Sequence, residues 1–100
     1  MIVVIKNVGE EPKVSEIAND YKALRDAVGG YIEIVRLPRY RDICIVCNEE
    51  GKLLGLEPNF LLREYRDIIC GNVVFAGDDG CGDFRSLTEE EIKIVKDYIG

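Results

Sequence analysis

Residues 28 to 37 read VGGYIEIVRL, and the order of residue types in this stretch decides the fold. A short amphipathic pattern stops at Gly29 and Gly30, and a run of aromatic and β-branched residues, Tyr31 to Val35, begins at once. Gly29 stands where a helix takes its left-handed cap, and Gly30 lets the backbone reverse into a strand. So tight a helix-to-strand joint fixes how the helix lies on the sheet. Upstream, Asn19 or Asp20 can cap a helix whose apolar positions Tyr21, Leu24, Ala27 and Val28 recur at helical spacing.

Ahead of that helix, Ile2 to Lys6 and Lys13 to Ile17 read as a hairpin across a polar turn containing Gly9 and Pro12. Beyond Leu37, residues Pro38 to Asp42 read as a connection, and Ile43 to Asn48 as the next strand. Asn48 to Lys52 fits a hairpin closure with a left-handed Gly51, from which Leu53 starts a short return interrupted by Gly55 and Pro58. Asn59 to Tyr65 fits a helix or a loop. Asp67 to Ala76 reads as one strand with a bulge at Gly71, and Gly77 to Asp83 as a loop. The last helix is announced by a capping box, Thr88 with Glu91, a staple of Leu87 on Ile92, and the acids Glu89 and Glu90 at its positive end. The order ββαββ, an irregular segment, then β and α, predicts one α+β domain over residues 1–100. About five strands should form a largely antiparallel sheet with two helices.

The chain has 100 residues, a formal net charge of −6 and no histidine. That length supports a single core without disulfides or metal. The acidic balance disfavours general nucleic-acid binding, which rests on several cations neutralising phosphates. Without histidine the commonest general base and the usual nucleophile pairs are missing, so a non-catalytic protein is expected, without cofactor or metal. The N-terminus offers neither a signal-peptide core nor a membrane span, so a cytoplasmic protein is expected. Four cysteines should then be free thiols. Cys44 and Cys47 are three apart on a strand and point to opposite faces, unlike a metal or redox pair. Asp78, Asp79 and Asp83 fail the EF-hand register and read as a solvated turn.

The strands 31–37, 43–48 and 67–76 are apolar on both alternating sets of residues, so both faces need cover. Either the helices and the 53–66 segment supply it, or a second subunit does. A homo-oligomer, most simply a dimer, is expected on that ground.

The local concentration of positive charge is Arg36, Arg39 and Arg41 with Tyr40 among them. Such a group binds phosphate and stacks on a base, or it is a solvated loop trading salt bridges with Glu49 and Glu50. Tyr31 and Glu33 leave the strand that ends at Arg36, while Asn48 and Lys52 flank the predicted hairpin beside it. Cations for phosphate, an aromatic face for a base and an acid or amide for ribose hydroxyls are therefore expected at one end of the sheet.

VGGYIE at 28–33, NEEGKL at 48–53, Gly55-Leu56, Asn59, the DIICG of 67–71 and Ser86-Leu87-Thr88 together form an ordered pattern over nearly the whole chain. In this the sequence resembles the domain-of-unknown-function 3846 family, small domains found largely in bacteriophages, plasmids and conjugative elements. The family often has Pro directly after Gly-Leu and Arg directly after the Asn. This chain has Glu57-Pro58 and Asn59-Phe60 instead, so nothing resting on that arginine is carried over. The resemblance implies a setting, mobile genetic elements in a host cytosol, and no activity. From that setting come two expectations. One is a protein that sequesters a small anionic host molecule, such as a nucleotide immune signal, with Tyr31, Glu33, Arg36, Arg39, Tyr40, Arg41, Asn48, Lys52 and Asn59 as its binding residues. The other is an inhibitor that docks on a host defence protein, of the anti-restriction or anti-CRISPR type.

Overall fold

Asp20 opens the first helix by accepting the Ala23 amide at 2.8 Å, and Gly29 closes it at φ 79° with its amide on the Arg25 carbonyl. The helix between them is α1 (Tyr21–Val28), and strand β3 (Ile32–Leu37) starts three residues after its cap. The computed structural model describes every residue from Met1 to Gly100. It adds β1 (Ile2–Lys6), β2 (Lys13–Glu16), β4 (Tyr40–Asn48), β5 (Pro58–Leu62), β6 (Asp67–Cys70), β7 (Val73–Asp78), β8 (Phe84–Arg85) and α2 (Glu89–Ile99). The main sheet runs β2-β1-β7-β4-β3, with β8 paired to the end of β7, and β5 with β6 makes a separate two-stranded sheet. Every strand pair is antiparallel, so the fold is α+β as expected.

The central strands β7 and β4 are apolar on both faces because both faces are covered by the chain itself. On one face Val3, Val46, Val74 and Ala76 meet Leu24 and Val28 of α1. On the other, Val4, Ile43, Ile45, Val73 and Phe75 meet Val95 of α2 and Leu62 and Ile69 of the small sheet. Each such side chain removed from water stabilises the fold by roughly 1.5–3 kcal/mol. The α2 start is built as the sequence predicts, with Thr88 Oγ1 accepting the Glu91 amide and Glu91 Oε1 accepting the Thr88 amide.

Four expectations are corrected. Asp67 to Ala76 is two strands, not one: Gly71 stands at φ 87°, and a Cβ there would lie 2.8 Å from Leu56 Cδ1. The chain turns at that point from the small sheet into the main one. Asn59 to Tyr65 is not a single helix or a single loop. It divides between β5, whose Leu61 and Leu62 pair with Ile68 and Asp67, and a 3₁₀ turn over Arg63–Tyr65. Asn48 to Lys52 closes no hairpin, since Gly51 is needed for close approach instead: a Cβ would come 2.8 Å from the Cys70 carbonyl oxygen. Finally, Pro38 to Asp42 is mostly strand. β3 and β4 join through the two residues Pro38 and Arg39, with Leu37 opposite Tyr40 and the register shifting before it. The short β8 has no strand-like pattern of its own and exists because β7 offers it a ladder.

Candidate functional site

The period of two along β3 separates the nine predicted binding residues onto different faces and ends of the sheet. Tyr31 lies at the α1 end of β3, and Arg39 at the opposite end, roughly 20 Å away at about 3.4 Å per residue. They do not form one pocket. Glu33 is exposed on the α2 face beside Cys47, whose Sγ is 3.9 Å from Glu33 Oε1. Burial first, and then the Glu33 carboxylate, push that thiol up to about 12.

Three of the nine hold the fold. Asn48 is buried, donates to the Val28 carbonyl at 3.3 Å and accepts the Glu50 amide at 2.8 Å, tying β4 to the helix end. Asn59 Nδ2 donates to the carbonyls of Lys6 at 2.8 Å and Gly71 at 2.9 Å, which joins the small sheet to the large one. Its buried Oδ1 has no partner. Lys52 is ion-paired with Asp67. The hydrogen bond from Lys52 holds the Asp67 carboxyl below its usual range.

Arg39, Tyr40 and Arg41 do come together, at the β3–β4 turn, while Arg36 points to the other face of the sheet with Cys44 and Asp78 and reaches the group only at the Arg41 carbonyl. Arg36 is spoken for: its guanidinium donates to Asp78, to the Arg41 carbonyl at 3.0 Å and to Cys44 Sγ at 3.5 Å. Asp78 is held below the usual carboxylate range first by the Gly80 amide and then by Arg36. Arg39 and Arg41 are exposed and take part in none of the four ion pairs. Arg39 also stands at φ 72°, a left-handed backbone that a side chain opposes. Arg39, Tyr40, Arg41, Asp42, Glu90 and Ile94 border a cleft of 320 Å³ here.

The 3₁₀ turn enlarges this basic end, which sequence reading missed. Tyr65 donates to the Arg36 carbonyl at 3.5 Å, and the Arg63 guanidinium lies 4.8 Å from the Tyr98 ring centre. Tyr98 donates to Glu64 at 2.8 Å, the main reason the Glu64 carboxyl is held low, with Arg63 and Arg39 adding to it. Arg66 follows at φ 51°, so both non-glycine residues with left-handed backbone are arginines of this region. Nothing in the spacing of residues 63–66 signals that they fold back beside residues 36–39.

Two other surfaces stand apart. The Arg25 guanidinium carbon lies 4.7 Å from the Tyr31 ring centre and 5.6 Å from that of Tyr21, beside a cleft of 520 Å³. On the outer side of the small sheet, Leu61 and Ile68 are cross-strand partners, 49% and 45% exposed, and Leu53 nearby is 86% exposed. The acidic loop after β7 is closed on itself, with Asp79 accepting the amides of Cys81 and Asp83. All four cysteines are unpaired, and Cys44 faces Arg36 while Cys47 faces the α2 core, as alternation requires. No helix is long and apolar enough to cross a membrane.

A family model described as a domain of unknown function (DUF3846) matches residues 1–100. No curated protein and no solved structure matches the chain.

Proposed function

Because this chain belongs to the DUF3846 family, whose description assigns no activity, we propose a function from its own residues: it is a non-catalytic binding protein that captures a small oxyanion-bearing molecule at the β3–β4 turn. The observation that carries this reading is Arg39, an unpaired guanidinium on a left-handed backbone beside Tyr40 and Arg41. Strained backbone of this kind clusters at ligand sites, where a side chain's position outweighs its conformational cost. The arginines supply forked donors for a phosphate and Tyr40 a ring face for a base. Asp42, next to Arg41 on β4, and Glu90 of α2 also border the cleft and are acceptors suited to sugar hydroxyls, which points to a nucleotide. A volume of 320 Å³ lies within the range of small-ligand clefts. In the phage or plasmid setting that the family resemblance implies, a nucleotide immune signal of the host is the member of this class to test first.

Calorimetric and thermal-shift titration against cyclic dinucleotides and ADP-ribose decides the matter. Saturable binding lost in Arg39→Ala and Arg41→Ala supports the reading; binding that survives both substitutions, or none to any nucleotide, refutes it.

A second reading, an inhibitor docking on a host defence protein, is favoured by the outward face of the small sheet. Leu53, Leu61 and Ile68 form an apolar surface without cover, the kind that marks protein contacts. The homo-oligomer expected from two-sided strands has lost that argument, since each face has its cover within the chain. It stands as a proposal resting on this outward face, and light scattering of wild type against Leu53→Asp tests it: a mass near the 11.3 kDa of one chain for both removes it.

A further inference from the structure

The end of the molecule opposite the β3–β4 turn carries a second, independent feature. Tyr21 and Arg25 are four residues apart on α1 and therefore share one helix face. The reversal at Gly29 and Gly30 brings Tyr31 back onto that face, so that the Arg25 guanidinium lies over both rings, at 5.6 and 4.7 Å. Its side chain joins no ion pair and donates no hydrogen bond within the protein, and both tyrosines are half or more exposed. Stacking restricts a long side chain that otherwise pays rotamer entropy on binding, so this guanidinium is held ready for a partner.

The charge of the 520 Å³ cleft sets what that partner is. It is bordered by Lys22, Arg25 and Asp26, and Lys22 is already neutralised by Asp26 at 2.9 Å. Once Lys22 and Asp26 cancel, one cation, Arg25, is left over. A planar fork with one surplus charge matches a planar monoanion. Arginine and tyrosine are also the residues enriched where protein partners bind most tightly. We infer that Tyr21, Arg25 and Tyr31 form a docking point for a carboxylate presented by the surface of a partner protein, separate from the arginine-rich end.

The probe is the capped amino acid N-acetylglutamate α-amide, added to ¹⁵N-labelled protein and followed by NMR at Arg25 Nε and at the two tyrosine rings. The expected result is a saturable shift at these three residues that equal concentrations of sodium chloride do not produce. Read at the two tyrosine rings, binding should weaken at least tenfold in Arg25→Lys, which keeps the charge and loses the fork, and remain unchanged in Arg39→Ala. Shifts reproduced by sodium chloride, or an equal response in Arg25→Lys, overturn the proposal. Tighter binding of methyl phosphate than of the carboxylate overturns its choice of ligand. The wild-type titration keeps the test decisive even if a variant misfolds.

Discussion

Replacing Arg39 by glycine should raise stability while it weakens capture of the oxyanion. Left-handed backbone at φ 72° costs a residue with a Cβ roughly 1–2 kcal/mol, and glycine escapes that cost. Glycine's extra freedom in the unfolded chain takes back roughly 0.5–1 kcal/mol, so a net gain between about 0 and 1.5 kcal/mol remains, about 0.75 at its midpoint. The Arg39 side chain is exposed and in no ion pair, and its attraction to Glu64 is of the solvent-screened kind, so little is subtracted. For a domain of this size each kcal/mol moves the melting temperature by about 4–8 °C, so at that midpoint Arg39→Gly should melt roughly 3–6 °C higher. Arg39→Asn, which tolerates this backbone better than arginine, should fall between, and Arg39→Ala should stay near wild type. Loss of a charge-assisted contact of about 1.5–3 kcal/mol should meanwhile weaken nucleotide binding by roughly 10- to 100-fold in Gly and Ala alike. Thermal denaturation and calorimetry on the four proteins read both effects. If glycine lowers the melting temperature, or if alanine raises it as much as glycine, the strain argument is wrong. Unchanged affinity in all three variants would refute the binding argument without touching the stability one.

Gly71→Ala should lose about 1–2 kcal/mol, because φ 87° is unfavourable for a side chain and the new methyl meets Leu56; chemical denaturation measures it. Asn59→Ala should lose about 2 kcal/mol, as the Lys6 and Gly71 carbonyls lose their donor where the two sheets join, and amide exchange there should quicken. Glu91, bonded to Arg85 at 2.7 and 3.0 Å, titrates below its usual value chiefly through that contact. Its contribution is therefore complete above the unfolded-chain carboxylate value and lost as pH falls through the depressed folded one. Acid unfolding monitored by circular dichroism should begin at higher pH with Glu91→Ala, while Glu91→Gln should leave a shallower acid limb than wild type.

The joint at residues 28–33 was legible because every requirement there is local. The helix that Asp20 opens must find its stop, Gly29, nine residues on, supplies the left-handed cap, and β-branched residues follow at once. The α2 cap is local for the same reason, as all its hydrogen-bonding groups lie within four residues. The hairpin of β1 and β2 was legible too, through its polar turn. What the residues could not reveal depends on partners distant in sequence. Asp67 to Cys70 and Val73 to Asp78 are both short, mostly apolar runs, and the turn at Gly71, packed on Leu56, carries the chain from one sheet into the other. The Leu61–Leu62 segment becomes a strand because β6 pairs with it, against an ambiguous local pattern. The candidate site divides in the same way. The RYR cluster at 39–41 stood out by its charge, whereas Arg63 and Tyr98 reach that end only through the packing of a 3₁₀ turn against α2. Asn48, Lys52 and Asn59 looked like ligand groups because a buried amide or an ion pair has the same composition as a binding residue. Only the tertiary structure, by supplying Val28, Asp67, Lys6 and Gly71 as their partners, turned them into parts of the frame.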